Sequence, residues 1–338
     1  MTTLRLAIVG CGAMADWHVT ALAAASRTTV AACVDPVRER AYALASRTGG
    51  VACASLADAV AVGVDAAAIV VPHHLHEPLA LEAFAAGLHV ALEKPMAPEL
   101  DACERILAAA SRTDRVFMVT ENSQYWPDVI VARDVIAGGA IGDILTARAW
   151  HNSPPPAVFY PGDKPWRFDQ HAMGGGIALD TGSHWMRPLR MVLGEIDEVV
   201  ATTSRTWEAM DGESLVRSLC RFRSGVVASF DVMLATGPVA RQPHFQFTGT
   251  AGELLVTADG EARLFDGEVR LFNGRDPAGT VVGGGGFMAS YEGVWLDFEA
   301  AVLDGTPLAA SAEYSLGEVR AAHAIVRSAA SRSWEPVW

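Results

Sequence analysis

Short apolar runs and longer Ala-rich stretches take turns along the first third of the chain. Residues 4–10 read as a buried strand. A glycine turn and a helix over 13–25 follow it, and then a second strand over 29–34 ends at Asp35. Pro36 stands where a helix can begin, and residues 38–47 continue it. Residues 66–71 form another apolar strand, stopped by Pro72. A helix over 77–86 is ended by Gly87, a strand covers 88–92, a helix 101–110 and a strand 116–120. Strands alternating with helices predict parallel βαβ units with helices on both faces of a sheet.

Past Glu121 the period changes. A helix over 129–137 runs into Gly138-Gly139, and strands then dominate: 144–150, 199–206, 215–221, 226–234, 244–249, 252–257 and 262–265. Residues 217–223 alternate charged or polar with apolar positions, as a half-buried antiparallel strand does. Helices near 291–303 and 313–331 close the chain. The expected fold class is an α/β Rossmann domain, a doubly wound parallel sheet, over residues 1–122. An α+β domain with a large, mostly antiparallel open sheet then covers 123–338, its C-terminal helices free to pack back on the first domain. Two stretches read as loops able to cover a site: the Pro-rich connection 154–165 and the four glycines 283–286.

Length and charge narrow the classes. The 338 residues, 51% hydrophobic, suffice for two domains, and no apolar run reaches the roughly 20 residues of a membrane helix. No secretory leader is evident, so a cytoplasmic protein is expected. The 26 basic and 39 acidic residues give a net charge of −13, which disfavours nucleic-acid partners. The five cysteines, Cys11, Cys33, Cys53, Cys103 and Cys220, are odd in number and widely spaced without C-x-x-C. That argues against a disulfide framework or thiolate metal site, and no metal is expected.

Gly10-Cys11-Gly12-Ala13-Met14-Ala15 fits G-x-G-x-x-G/A between a strand and a helix. Gly10 permits the tight turn, Gly12 lets backbone approach a pyrophosphate, and Ala15 allows close helix–strand packing. The helix N-terminus then offers free N–H groups to phosphate. Asp35, 25 residues after Gly10, stands near the spacing expected of a ribose-binding acid. A carboxylate there repels a 2′-phosphate and favours NAD over NADP, a preference that nearby Arg38 softens.

Two further pieces carry chemistry. Glu93-Lys94-Pro95 follows a parallel strand, where open α/β sheets bind ligands. A partly desolvated lysine there exchanges a proton closer to neutrality. Asp180 and His184 follow Gly174-Gly175-Gly176 and are four residues apart. On a helix they share a face, and a carboxylate beside an imidazole fixes its tautomer.

With these motifs on the page, the chain resembles the Gfo/Idh/MocA family of oxidoreductases (glucose–fructose oxidoreductase, inositol dehydrogenase and relatives) along essentially its whole length. The further marks are Pro72 with His76, Gly87 leading through His89 to Pro95, residues 137–142, Trp166-Arg167 ahead of the three glycines, and Asp297-Phe298. The resemblance implies substrate bound between the domains and an exposed sheet face that makes a homodimer or homotetramer. It implies Lys94, Asp180 and His184 as the catalytic set. Pro72, His73, His76, Glu93, Lys94 and Asn122 join Gly10, Gly12, Ala13, Met14, Asp35 and Arg38 as cofactor contacts. Trp166 and Arg167, with Lys94, Asp180 and His184, are the implied substrate contacts. Two positions depart from the family pattern: Arg187 stands where an Asp is frequent, and Gln124-Tyr125-Trp126 replaces an Arg-Phe.

The reaction so implied is hydride transfer between C4 of NAD(P) and a carbinol or carbonyl carbon of a sugar, cyclitol or sugar-bearing metabolite, aminosugars included. Lys94 or His184 takes the hydroxyl proton, and Asp180 orients His184. An NAD-dependent glycoside hydrolase working through transient oxidation and a non-catalytic dinucleotide sensor are the alternatives.

Overall fold

The computed structural model describes residues 3–162, 165–240, 242–259, 266–274 and 277–338. Six strands come first: β1 (Leu4–Val9), β2 (Thr28–Val34), β3 (Val51–Cys53), β4 (Ala66–Ile69), β5 (His89–Leu92) and β6 (Phe117–Val119). Among them lie α1 (Ala13–Ala21), α2 (Arg38–Thr48), α3 (Leu56–Val62), α4 (His76–Ala85) and α5 (Leu100–Ala110). Next come α6 (Pro127–Ala137), β7 (Ile144–Ser153), the short α7 (Gln170–Met173) and α8 (Ser183–Leu193). The strands β8 (Ile196–Ser204), β9 (Leu215–Phe222), β10 (Val227–Leu234), β11 (Pro243–Gly249), β12 (Glu253–Asp259), β13 (Asp266–Phe272) and β14 (Thr280–Gly285) lead to α9 (Phe287–Asp304), α10 (Leu316–Ser331) and β15 (Glu335–Pro336). The chain divides into two compact units. One is Met1–Glu121 with His171–Gly174 and Tyr291–Leu316; the other is Asn122–Gln170 with Gly175–Ser290 and Gly317–Trp338.

The first unit is built on a parallel six-stranded sheet in the order β3-β2-β1-β4-β5-β6. Central strands buried on both faces need only small or branched apolar side chains. Leu6, Ala7 and Ile8 of β1 and Ala66 and Ala67 of β4 accordingly have no exposed surface. The strand order reverses at β1 and β4, so the chain segments leaving their C-terminal ends diverge and open the crevice that such sheets use for ligands. The predicted alternation missed β3 and α3. Three residues at a sheet edge are too short for periodicity, but a capping box marks the start of α3: Ser55 Oγ accepts from the Asp58 N–H while the Asp58 carboxylate accepts from the Ser55 N–H. Arg27 ties Tyr291–Leu316 into this unit through ion pairs with Glu299 (3.4 Å) and Asp304 (2.6 Å).

The second unit holds a nine-stranded sheet, β14-β13-β12-β11-β7-β10-β9-β8-β15, antiparallel except for the pair β7–β10. Along β9, Val216, Ser218, Cys220 and Phe222 are buried while Leu219 and Arg221 face outward, as the alternation predicts. The predicted strand over 262–265 lies outside the described residues. The four glycines do not form the expected loop over a site: Gly283–Gly285 belong to β14, which packs on α6. A Cβ at Gly283 would stand 2.8 Å from the Val131 side chain, and one at Gly285 2.3 Å from Pro127. The glycines are there because a helix lies on the strand.

α8, α10 and the segment before α6 share a buried polar network. Arg187 Nε donates to Glu318 (2.6 Å), its Nη2 to the second Glu318 oxygen (3.1 Å), and its Nη1 to Gln124 Oε1 (2.6 Å). Arg190 donates to the same Glu318 carboxylate and to both oxygens of Glu195 (2.9 and 2.6 Å). Gly317 makes room for this: a Cβ there would stand 2.2 Å from the Arg190 guanidinium. The two departures from the family pattern, Gln124 and Arg187, are thus bonded to each other.

Two stability outcomes follow. Glu318→Gln leaves two buried guanidiniums short of a charge, which lowers unfolding free energy by about 3–5 kcal/mol in urea titrations. Gly285→Val drives a branched side chain into Pro127 and lowers it by about 1–3 kcal/mol.

Candidate active site

In the first unit the turn after β1 is fixed by geometry that only glycine tolerates. Gly10 has φ +95°, and an added Cβ would lie 2.1 Å from the Val70 carbonyl oxygen. Its N–H donates to Val34 O (2.8 Å). Gly12 is different. It precedes α1 as an extended residue with no side-chain cap, and a Cβ there would meet nothing within 4 Å. The first N–H groups of a helix lack partners within it, and the space next to Gly12 at this N-terminus is left clear. Ala15, fully buried, is the contact residue of the motif.

Asp35, at the end of β2, is buried. One carboxylate oxygen accepts from the Cys11 N–H (3.0 Å) and the other from the Val37 N–H (2.8 Å). A carboxylate has about four acceptor positions, so two remain for a ligand. Arg38 is exposed and lies over the Tyr42 ring at 5.1 Å, donating to its hydroxyl.

Lys94 follows β5, half-buried, in the turn that leaves the sheet. Glu93 beside it accepts from the Lys94 N–H (2.9 Å) and bonds the fully buried His18 of α1 at 2.6 Å. His18 is a residue that sequence reasoning missed, because nothing in the local pattern of α1 distinguishes it from a core position. Its ring meets Tyr291 and Trp295 edge-on at 5.3 and 5.5 Å.

His76, behind Pro72, is wholly buried. Its ring nitrogens lie 2.8 Å from Pro95 O and 3.0 Å from Val71 O, bracing the turn after β4 against the one that carries Lys94. Burial pushes its pKa below the ordinary histidine value. The neutral ring then has one N–H, which donates to one of the two carbonyls. His73 and His74 reach the Met173 and Ala172 carbonyls at 3.0 and 3.2 Å, fixing the His171–Gly174 segment. Two of the expected cofactor contacts, His73 and His76, are therefore engaged as struts, as is Glu93.

In the second unit Asp180 and His184 sit at the start of α8. The expectation of a shared helical face is corrected: Asp180 lies in the turn ahead of the helix, and His184 is its second residue. The turn closes by Gly182 N–H donating to Ile177 O (2.7 Å) and Ser183 Oγ to Asp180 O (2.9 Å). Gly182 lets the chain cross itself there, since a Cβ would lie 2.4 Å from Ala178 O. The buried Asp180 carboxylate accepts from Arg167 Nε at 3.2 Å. The Trp166 ring lies beneath the Arg167 guanidinium at 4.4 Å. Asn122, expected at the cofactor, donates its amide to Ser290 Oγ (2.9 Å).

Sequence reasoning also passed over His151 and His244. His151 of β7 follows Ala147 and Ala149 on the inward face, and that strand alternation was the available signal. Its ring lies 4.0 Å from Trp185, and His244 approaches the other side of Trp185 at 5.6 Å. Burial pushes His151 down to about 3, with His244 and His184 contributing, and pushes His244 down to about 4. Both are neutral at physiological pH and add no charge beside His184. Among the described residues no group of three or more His, Cys, Asp or Glu side chains is placed to hold a metal ion, and no helix is long and apolar enough to cross a membrane.

Residues 4–121 match the oxidoreductase family GFO_IDH_MocA with an NAD-binding Rossmann fold, and residues 129–255 match the GFO/IDH/MocA C-terminal domain. The 1,5-anhydro-D-fructose reductase of Ensifer adhaerens is 30% identical over 257 residues, covering 74% of this chain and 75% of its own. An inositol 2-dehydrogenase of Renibacterium salmoninarum is 39% identical over 145 residues, 42% of this chain and 44% of its own. The structure of levoglucosan dehydrogenase in complex with NADH superposes with a TM-score of 0.87 at 25% identity, covering 99% of both chains. The chain belongs to the GFO/IDH/MocA family of NAD-binding oxidoreductases.

Proposed function

We propose that the protein is an NAD-dependent dehydrogenase or reductase acting on a CH–OH or carbonyl carbon of a sugar or cyclitol. The observation that carries this reading is a carboxylate anchored by an arginine in the turn that presents His184, in a chain whose first unit keeps the open helix N-terminus of an NAD-binding domain. The relatives named for anhydro sugars and inositol point to the same substrate class.

The α1 N-terminus and the clear ground at Gly12 hold the pyrophosphate. Asp35 accepts from the adenosine ribose hydroxyls with its remaining lone pairs and repels a 2′-phosphate, which favours NAD over NADP. Bound NAD supplies the hydride acceptor or donor. Lys94 and His184 are the two candidates for the group that takes or returns the proton of the reacting hydroxyl. Asp180 orients His184. Acid–base help of this kind contributes roughly 100- to 10,000-fold to rate.

Binding and turnover test separate parts of this reading. Gly12→Val is expected to raise the NADH dissociation constant, read by fluorescence, by about tenfold or more while leaving the urea midpoint unchanged. Gly10→Ala disturbs both. Nicotinamide absorbance is then followed with NAD and myo-inositol or levoglucosan, and with NADH and 1,5-anhydro-D-fructose. Lys94→Ala is expected to lower turnover by about 100-fold or more with NADH binding retained. Full turnover in that variant refutes the role given to Lys94. Silence of the wild-type protein toward a wide panel of sugars and cyclitols, with NADH bound, refutes the substrate class.

A further inference from the structure

Arg167 was expected at the substrate. Its surroundings describe a different task. The guanidinium is enclosed by three aromatic rings: Trp166 at 4.4 Å, Tyr160 at 5.7 Å and Phe159 at 5.8 Å. Nη1 donates to the Phe159 carbonyl (3.1 Å) and Nε to Asp180 (3.2 Å). Side-chain exposure is 13% for Arg167 and 4% for Asp180, so the pair is shielded from water. The buried Tyr160 phenol lies near Asp180 and Thr181, and burial followed by the Asp180 charge holds it protonated. Tyr160 itself packs on Phe168 at 5.7 Å, which fixes its ring.

We propose that Arg167, caged by Phe159, Tyr160 and Trp166, is a positioning residue that neutralises and aims the Asp180 carboxylate in the turn that leads to His184. The inference rests on the assignment of Asp180 and His184 to proton transfer. An unscreened buried carboxylate next to an imidazole favours imidazolium and would hold the base protonated. A guanidinium locked onto that carboxylate removes most of this bias and leaves the carboxylate free to orient the ring. The cage makes the placement permanent: cation–π contacts on three sides and a carbonyl on a fourth leave Arg167 few other rotamers. The charged and titratable groups in this part of the unit include Asp180 in the turn before α8, Tyr160 and Arg167 ahead of it, His151 of β7, which is coupled electrostatically to His184, and His244 of β11, which packs on Trp185. Arg187 on α8 itself is committed to Glu318 and Gln124. Of these, Arg167 is the cation bonded to the carboxylate that opens α8.

The test is a proton NMR titration of the His184 ring in the full chain, identified by its loss in His184→Asn, for wild type, Arg167→Met, Arg167→Lys and Tyr160→Phe. Arg167→Met is expected to raise the His184 pKa by about one unit. Tyr160→Phe is expected to shift it by less in the same direction, and Arg167→Lys to restore part of the wild-type value. With the best substrate of the sugar and cyclitol panel, the acidic limb of kcat moves to higher pH by the same amount. An unchanged His184 pKa in Arg167→Met, with NADH binding intact, overturns the proposal. A raised KM with unchanged kcat and pH profile also overturns it and makes Arg167 a substrate contact. Should Arg167→Met not fold, Arg167→Gln, which keeps a polar side chain of similar reach without the charge, decides in its place: an unchanged His184 pKa in that variant overturns the proposal. Retained turnover in His184→Asn sinks the underlying catalytic assignment instead, and the NMR arm still reads whether Arg167 sets the proton affinity of His184.

Discussion

One carboxylate organises the second unit. Glu318 receives Arg187 and Arg190 in the interior, and the charges close to neutrality only when Glu195 is counted as well. Removing four charged groups from water is tolerable when each finds its partner at hydrogen-bond distance, and not otherwise. α8 is thereby locked in rotation about its own axis, because its two arginines, three residues apart, must both reach the carboxylate on α10. His184 rides on the same helix, three residues before Arg187, so this network fixes the helix that carries it.

The first unit uses the same economy of means. Asp35 ties the fingerprint turn to β2 with two backbone bonds and still has acceptor capacity left. Glu93 anchors both the Lys94 amide and His18, and His76 bridges two carbonyls. Asp35, Glu93 and His76 are thus structural groups first. That is a physical requirement: strand-end turns have many unsatisfied backbone groups, and a buried side chain is the cheapest partner for them. Preorganisation follows, since side chains already fixed by the turn lose little freedom when a ligand arrives.

Much of this was legible beforehand. Buried parallel strands of four to seven residues, separated by Ala-rich helices, leave a period that reads directly from the sequence, and so does the inward–outward alternation of β9. The Gly10–Ala15 motif is legible because its glycines answer purely local demands, a positive φ and a close approach. Where local reading failed, the cause was a distant neighbour. Gly283–Gly285 look like a loop until α6 is laid across them, and Asp180 and His184 look like one helical face although Asp180 lies in the turn that precedes α8.

The sequence by itself determined the element pattern, the dinucleotide turn and the family, because each is encoded in residues close together in the chain or in the order of short motifs. Only the tertiary structure decided what the polar residues do. Gln124 and Arg187 are 63 residues apart and stand out separately in the sequence, yet they share a hydrogen bond. Nothing in the sequence shows that Arg167 meets Asp180 and three aromatic rings. A side chain's role depends on which charges lie within a few ångströms in a medium of low dielectric, and that proximity is created by folding alone.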